Sequence, residues 1–260
     1  MSSLRHVHPR RASERGAETA VSAAPPVVVE GLCKQYVRGG IATPVLRGVD
    51  LRVERGECVF LTGPSGSGKS TLLAILGCIL TPDAGVVRIL GENLGLLDAH
   101  RRTLLRRQRI GFVFQRFQLL RGLTALHNVA VPLQLCGVPP ATALVRAMRL
   151  LEQVGLRERA HALPSQLSAG QCQRVALARA LAVEPELILA DEPTANLDEH
   201  HGLEAMRLLR ELAAARGRTL VVVTHDVRIL PFADRVFRLE HGRLQPWEAR
   251  LVDAGGTTGV

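Results

Sequence analysis

The sequence predicts an α/β fold built on a largely parallel sheet. Three observations predict it. Short apolar runs alternate with longer segments of helical period along the body of the chain. A glycine-rich turn carrying Lys69 joins one of these runs to a helix. Between residues 27 and 245 neither an interdomain linker nor an internal repeat interrupts the pattern.

The elements follow in order. Residues 1–26 are rich in Arg, Ala, Ser and His, end in Pro25-Pro26 and hold no apolar h-region. They read as a tail and not as a secretory signal. Residues 27–30 and Cys58–Thr62 read as strands because they are short and β-branched or aromatic. Residues 70–80 read as a helix. Residues 98–168 are helix-rich, with no clear strand after Phe114, and are expected to form a helical subdomain inserted into the sheet domain, with a helix over 141–159. Further helices are expected over 171–183 and 200–216. Residues 187–190 and 219–224 are short apolar runs bounded by turn or charged residues, typical of strands buried on both faces. Residues 246–260 read as a C-terminal tail, which leaves 27–245 as the folded domain.

Composition excludes several classes. A chain of 260 residues with 47% hydrophobic and 22% charged residues is neither disordered nor too small to bury a core. The most apolar window, 128–145, is broken by Pro132, Gln134, Gly137, Pro139 and Pro140, so no stretch is long enough to span a bilayer. The five cysteines are scattered and form no C-x-x-C, which fits a reduced, cytoplasmic setting. A net charge of +9 suits nucleic acid, an anionic membrane face or phosphate ligands, and does not choose among them.

The choice comes from motifs. Residues 63–70 read Gly63-Pro64-Ser65-Gly66-Ser67-Gly68-Lys69-Ser70, which fits G-x-x-x-x-G-K-[ST], between a strand and a helix as the motif requires. Glycines let consecutive N–H groups turn inward onto phosphate oxygens, and the following helix start adds partial positive charge. Lys69 would reach the β- and γ-phosphates, and the Ser70 hydroxyl would ligate Mg²⁺. Of 33 basic residues only Lys34 and Lys69 are lysine, so a compact ammonium at 69 marks a place where a planar guanidinium does not fit.

The run 187–190 ends in Asp191-Glu192. At a strand's carboxyl end, Asp191 can hold the Mg²⁺ shell and Glu192 can act as general base on an attacking water. His225 follows the run 219–224, and neighbouring parallel strands end at one edge, which brings His225 beside Glu192.

The stretch Leu167-Ser168-Ala169-Gly170-Gln171, followed by Gln173-Arg174-Val175-Ala176-Leu177-Ala178-Arg179-Ala180-Leu181, resembles the signature motif and helix of the ATP-binding cassette family. The resemblance spans residues 27–245. It implies a P-loop NTPase (RecA-like) parallel-sheet core with an antiparallel β part. It implies that Tyr36 stacks on adenine, that Thr71 binds the nucleotide together with the phosphate loop, and that Gln115 binds the nucleotide and joins Mg²⁺ to the helical subdomain. It gives His225 the role of switch histidine and Asp198 that of the loop communicating across a dimer. ATP and Mg²⁺ are the implied ligands, and no nucleic acid is expected.

Ser168, Ala169, Gly170 and Gln171 would close over the ATP of a second copy or a paired homologue. The family usually has Gly-Gly where this chain has Ala169-Gly170. Local spellings around 110–115, 123–129, 190–198 and 224–235 are similar to ATPases for bacterial lipoprotein release, macrolide export and glycolipid export. These imply a separate transmembrane permease, a cytoplasmic membrane face, and a lipid, lipoprotein or drug-like cargo.

Other readings fit less well. Cassette proteins acting on chromosomes carry a long coiled coil between phosphate loop and signature, and only 52 positions separate Gln115 from Leu167. Translation factors carry two cassettes, and a small-molecule phosphoryl transferase needs no signature. Arg101, Arg102, Arg106, Arg107 and Arg109 form a basic cluster that suits lipid headgroups, nucleic acid or a solvated helix face. Trp247 suits a partner anchor or a packed position, and Cys172 a small core residue.

Overall fold

The computed structural model describes residues 24–247. The expected tails lie outside the described residues except at their inner ends. The elements are β1 (Val27–Arg38), β2 (Ile41–Val53), β3 (Cys58–Thr62), α1 (Lys69–Leu76), β4 (Ala84–Ile89) and β5 (Glu92–Asn93). Next come α2 (Ala99–Arg109), β6 (Ile110–Val113), α3 (Ala125–Leu135), α4 (Pro140–Gln153), α5 (Ala169–Leu181) and β7 (Leu187–Asp191). The chain continues through α6 (Glu199–Ala214), β8 (Thr219–Val223), β9 (Arg235–Glu240) and β10 (Arg243–Pro246).

Two sheets form. One has the order β10-β9-β3-β8-β7-β6, parallel throughout except for the antiparallel edge strand β10. The other is antiparallel, in the order β2-β1-β4-β5. The period of two divides the parallel sheet's side chains between two cores. Val59, Leu61, Leu187, Leu189, Val221 and Val223 join α1 and the antiparallel sheet in one cluster. Cys58, Phe60, Ile188, Ala190, Leu220 and Val222 join α5 and α6 in another. A third cluster binds α3 and α4 to the outer side of α5, through residues such as Val129, Leu133, Ala147, Leu151 and Val175.

Several expectations change. In the segment expected to be helix-rich from residue 98, α2 comes first and β6 follows before Phe114, pairing in parallel with β7 as the edge of the main sheet. No break in helical pattern separates α2 from β6, so the sequence hides the boundary. The strand expected over 27–30 runs on to Arg38. The helix expected over 70–80 stops at Leu76, and Cys78 turns to φ 58°. The helix expected over 141–159 spans Pro140–Gln153, and those expected over 171–183 and 200–216 start earlier, at the capping residues Ser168 and Asp198. Pro246 closes β10 and the Trp247 N–H donates to Val236 O at 2.9 Å, so the first two residues of the expected C-terminal tail are paired with the main sheet.

Candidate functional site: a cleft at the sheet's carboxyl edge

In the order β3-β8-β7-β6, all four strands run the same way, so their carboxyl ends share one edge. After β3 comes the phosphate loop, after β8 His225, after β7 Asp191-Glu192 and after β6 Gln115. They line one cleft of about 640 Å³ with Val45 of β2.

Two glycines make the loop possible. Gly63 has φ 142°, and a Cβ there would stand 2.2 Å from the Leu239 carbonyl oxygen of β9. Gly68 has φ 106°, and a Cβ there would stand 2.9 Å from Val45 Cγ1. The loop therefore wraps closely between the two sheets before α1 starts. Lys69 is only 8% exposed, and its Nζ donates to Gly63 O at 2.8 Å and Pro64 O at 2.9 Å. Burial lowers its pKa, against the pull of Glu192 and Asp191.

The Ser70 hydroxyl donates to Asp191 Oδ1 at 3.4 Å. Burial raises the Asp191 pKa, with the Ser70 hydrogen bond opposing and Glu192 adding to the rise. Glu192 leaves the strand with φ 47° while its N–H donates to Val223 O at 2.9 Å. Its Oε1 lies 2.8 Å from His225 Nδ1, and its Oε2 accepts from the His225 N–H at 3.3 Å. The carboxylate is held by the histidine expected beside it. A carboxylate beside a buried lysine in this cleft is placed to take a proton from water.

The remaining expected residues sit around this centre. Tyr36 Oη is 3.4 Å from Thr71 Oγ1 on α1, so the aromatic residue stands over the start of that helix. Ser168 caps α5: its Oγ accepts from the Gln171 N–H at 3.2 Å, and Gln171 Oε1 accepts from the Ser168 N–H at 3.0 Å. Ala169 opens the helix without positive φ. Among the described residues, those lining the cleft include none of Ser168–Gln171. Asp198 caps α6 and accepts from the His201 N–H at 3.0 Å, which together with the ring of His201 lowers its pKa.

Sequence reasoning missed the ties between these parts. Gln173 is buried, and its Nε2 donates to Pro193 O at 2.8 Å, joining the signature helix to the segment after Glu192. Asn196 Nδ2 donates to the Gln115 carbonyl oxygen. Thr194 donates to Asp226, whose pKa is lowered first by Arg228. Arg179 of α5 donates to Phe117 O and Gln118 O, two residues with positive φ just after Gln115. A polar Gln173 on a helix face otherwise made of Cys172, Val175 and Ala176 was the one legible signal.

The basic cluster is partly structural. Arg106 donates to Cys78 O and Arg109 pairs with Glu186 at 2.6 Å, while Arg102 and Arg107 are half-buried, so within the cluster Arg101 is the exposed member. Burial pushes the Cys58 thiol up to about 12 and that of Cys78 to about 11, and raises Cys172, so these sulfurs are unreactive packing groups.

Residues 46–195 match the ABC transporter family model. The chain belongs to that family. It is 46% identical to a lipoprotein-releasing system ATP-binding protein, LolD, of Shewanella frigidimarina, over 89% of this chain and 95% of the relative. It is 49% identical to an uncharacterized ABC transporter ATP-binding protein of Thermotoga maritima, over 86% of this chain and 95% of the relative. It is also 43% identical to the macrolide export ATP-binding/permease protein MacB of Azoarcus, over 90% of this chain, and spans 36% of that longer relative. A solved ATP-binding cassette in a dimeric post-hydrolysis state bound to ADP and Pi superposes with TM-score 0.78 at 41% identity, covering 86% of this chain and 99% of that one. The chain is thus the ATP-binding, ATP-hydrolysing cassette of this transporter family, with a P-loop NTPase core. Among the described residues no helix is long and apolar enough to cross a membrane.

Proposed function

We propose that this ABC cassette powers a transmembrane permease on a separate chain, at the cytoplasmic face of the membrane. Two copies, or a copy and a paired homologue, would act together in export or extraction of a lipid, lipoprotein or drug-like cargo. The observation that carries the ATPase site is the convergence of Lys69, Asp191, Glu192 and His225 on one cleft, with Glu192 and His225 2.8 Å apart.

In this reading Lys69 and the backbone N–H groups of Gly63–Thr71 hold the phosphates, and Tyr36 stacks on the adenine. Ser70, Asp191 and Gln115 present hard oxygen donors to one side of the cleft, a set that suits Mg²⁺. When bound, that ion neutralises charge on the phosphates. Glu192 takes a proton from the attacking water. His225, through Nδ1, fixes the Glu192 carboxylate. Ser168, Ala169, Gly170 and Gln171 of one copy close the cleft of the other, and Asp198 lies at their junction. The dimeric state of the solved relative supports that pairing. The two nearly full-length ATP-binding relatives support a permease on a separate chain.

The test is Lys69→Ala, with fluorescent-nucleotide titration and phosphate release. Loss of both most of the affinity and turnover is expected, because the only ammonium in the loop is removed. Unchanged affinity and rate would remove the phosphate-loop assignment.

A further inference from the structure

Away from the nucleotide cleft, the first turns of α6 gather three side chains of metal-ligand type. His200, His201 and Glu204 each bring a ligand atom within 4.8 Å of those of the other two. His200 Nε2 and Glu204 Oε1, at i and i+4 on the helix, are 3.9 Å apart. The two imidazoles meet edge to face with centroids 5.5 Å apart.

Two of the three are already oriented from behind. Asp198 Oδ2 lies 2.6 Å from His201 Nδ1. A carboxylate at that nitrogen makes it the donor and leaves the lone pair on Nε2. Glu204 Oε2 accepts from Arg174 Nη2 at 3.1 Å, which leaves Oε1 toward His200. A carboxylate behind a ligating imidazole, and a hydrogen bond behind a ligating carboxylate, are what fix metal ligands in place. His200 is 77% exposed, so water can fill the remaining coordination position and the ion can exchange.

The geometry points to a regulatory divalent transition-metal site, of the Zn²⁺ class, formed by His200, His201 and Glu204. Two imidazoles and one carboxylate suit Zn²⁺, whereas Mg²⁺ and Ca²⁺ take oxygen ligands. The regulatory half rests on the function proposed above; the binding half does not. A cation on His201 strengthens the Nδ1–H bond to Asp198, the residue that also caps α6. Through Glu204 and Arg174 the same ion is tied to α5, the helix that Ser168 opens. His201 also faces that helix start, for a Cβ at Gly170 would stand 3.3 Å from His201 Cδ2. The bound ion therefore fastens the Asp198 loop to the signature helix and slows turnover.

The experiment uses the full chain without an affinity tag. Zn²⁺ is titrated calorimetrically, and Co²⁺ is followed by its visible absorption. Because His6, His8 and the cysteines offer other donors, the comparison is with His200→Ala, Glu204→Gln and the control His161→Ala. Loss of one site, or at least a tenfold weaker Kd, is expected in the first two variants and not in the control. Equal stoichiometry and affinity in all four proteins overturns the site. Thermal melts of each variant confirm folding, and Glu204→Gln carries the comparison if His200→Ala does not fold. In phosphate release with Mg-ATP, equimolar Zn²⁺ should slow the parent at least threefold and leave His200→Ala unslowed. Equal slowing in both overturns the regulation. A parent inactive without zinc counts against the ATPase reading instead and leaves the titration comparison intact.

Discussion

Replacing Glu192 by glutamine keeps the shape of the side chain and removes its basicity. In the structure the carboxylate is engaged twice by His225, at 2.8 Å through Nδ1 and at 3.3 Å through the backbone N–H. A glutamine oxygen can keep one of these contacts, so the ground state changes little, by about 1 kcal/mol, the worth of one hydrogen bond. What disappears is the proton acceptor. A general base contributes about 10²–10⁴ in rate. At 1.36 kcal/mol per factor of ten this is about 3–5 kcal/mol of barrier, well above the ground-state change. Turnover should therefore fall by about 10²–10⁴-fold while ATP affinity is kept, and loss of a negative charge beside the phosphates should favour an ATP-bound dimer. Phosphate release, nucleotide titration and size-exclusion chromatography with ATP measure the three quantities. A variant within tenfold of the parent rate would show that Glu192 is not the base, and a monomer at every ATP concentration would count against the composite site.

Three further outcomes follow. Asp191→Asn should raise the melting temperature of the nucleotide-free protein at neutral pH: burial lifts the folded pKa of Asp191, so the acid costs stability once ionised and the cost fades as pH falls through the carboxylate range. A lower melting temperature at pH 7 would contradict this, and Mg²⁺-dependent ATP binding should be lost in the same variant. Gly63→Ala should cost about 3 kcal/mol in urea unfolding, from φ 142° and a Cβ placed 2.2 Å from Leu239 O; a cost under about 1 kcal/mol would mean the loop relaxes freely. Ala169→Gly should change turnover by less than about tenfold, since residue 169 opens a helix without positive φ; a larger gain in parallel assays would mark the natural signature as impaired.

The central strands β3, β7 and β8 of the main sheet were legible because they are buried on both faces and read as short apolar runs, whereas β9 and β10 at its edge alternate or lie exposed and gave no such signal. The antiparallel sheet was not legible. β2 exposes its first half, contains Pro44 and Gly48, and pairs with β1 through register shifts, so no clean alternation marks it. β6 was left unassigned because its four residues follow α2 directly, with no loop between them. Within the cleft, each residue type at a strand end was readable from local pattern. The ties among Gln173, Pro193, Asn196 and Gln115 were not, since Asn196 and Gln115 lie 81 positions apart and only the fold brings them together.

The electrostatics of the cleft explain why such a site favours its ligand. Without nucleotide, Lys69 is a buried ammonium whose pKa burial lowers, satisfied by two carbonyl oxygens of its own loop. Asp191 is a half-buried carboxylate whose pKa burial raises, with Glu192 beside it. In each, burial works against the charged form that its role uses. An anionic phosphate would raise the Lys69 pKa, and a cation at Asp191 would lower that residue's, so ligand and metal each relieve a strain the fold carries alone. This makes binding cooperative in sign: phosphate near Lys69 stabilises a positive charge, and the metal offsets the like charges of Asp191, Glu192 and phosphate. Asp191→Asn separates the two effects, because it removes one of the strained charges and leaves the other. The same substitution that steadies the empty protein should thus weaken its hold on Mg-ATP, which is the opposite of what a purely structural carboxylate would do.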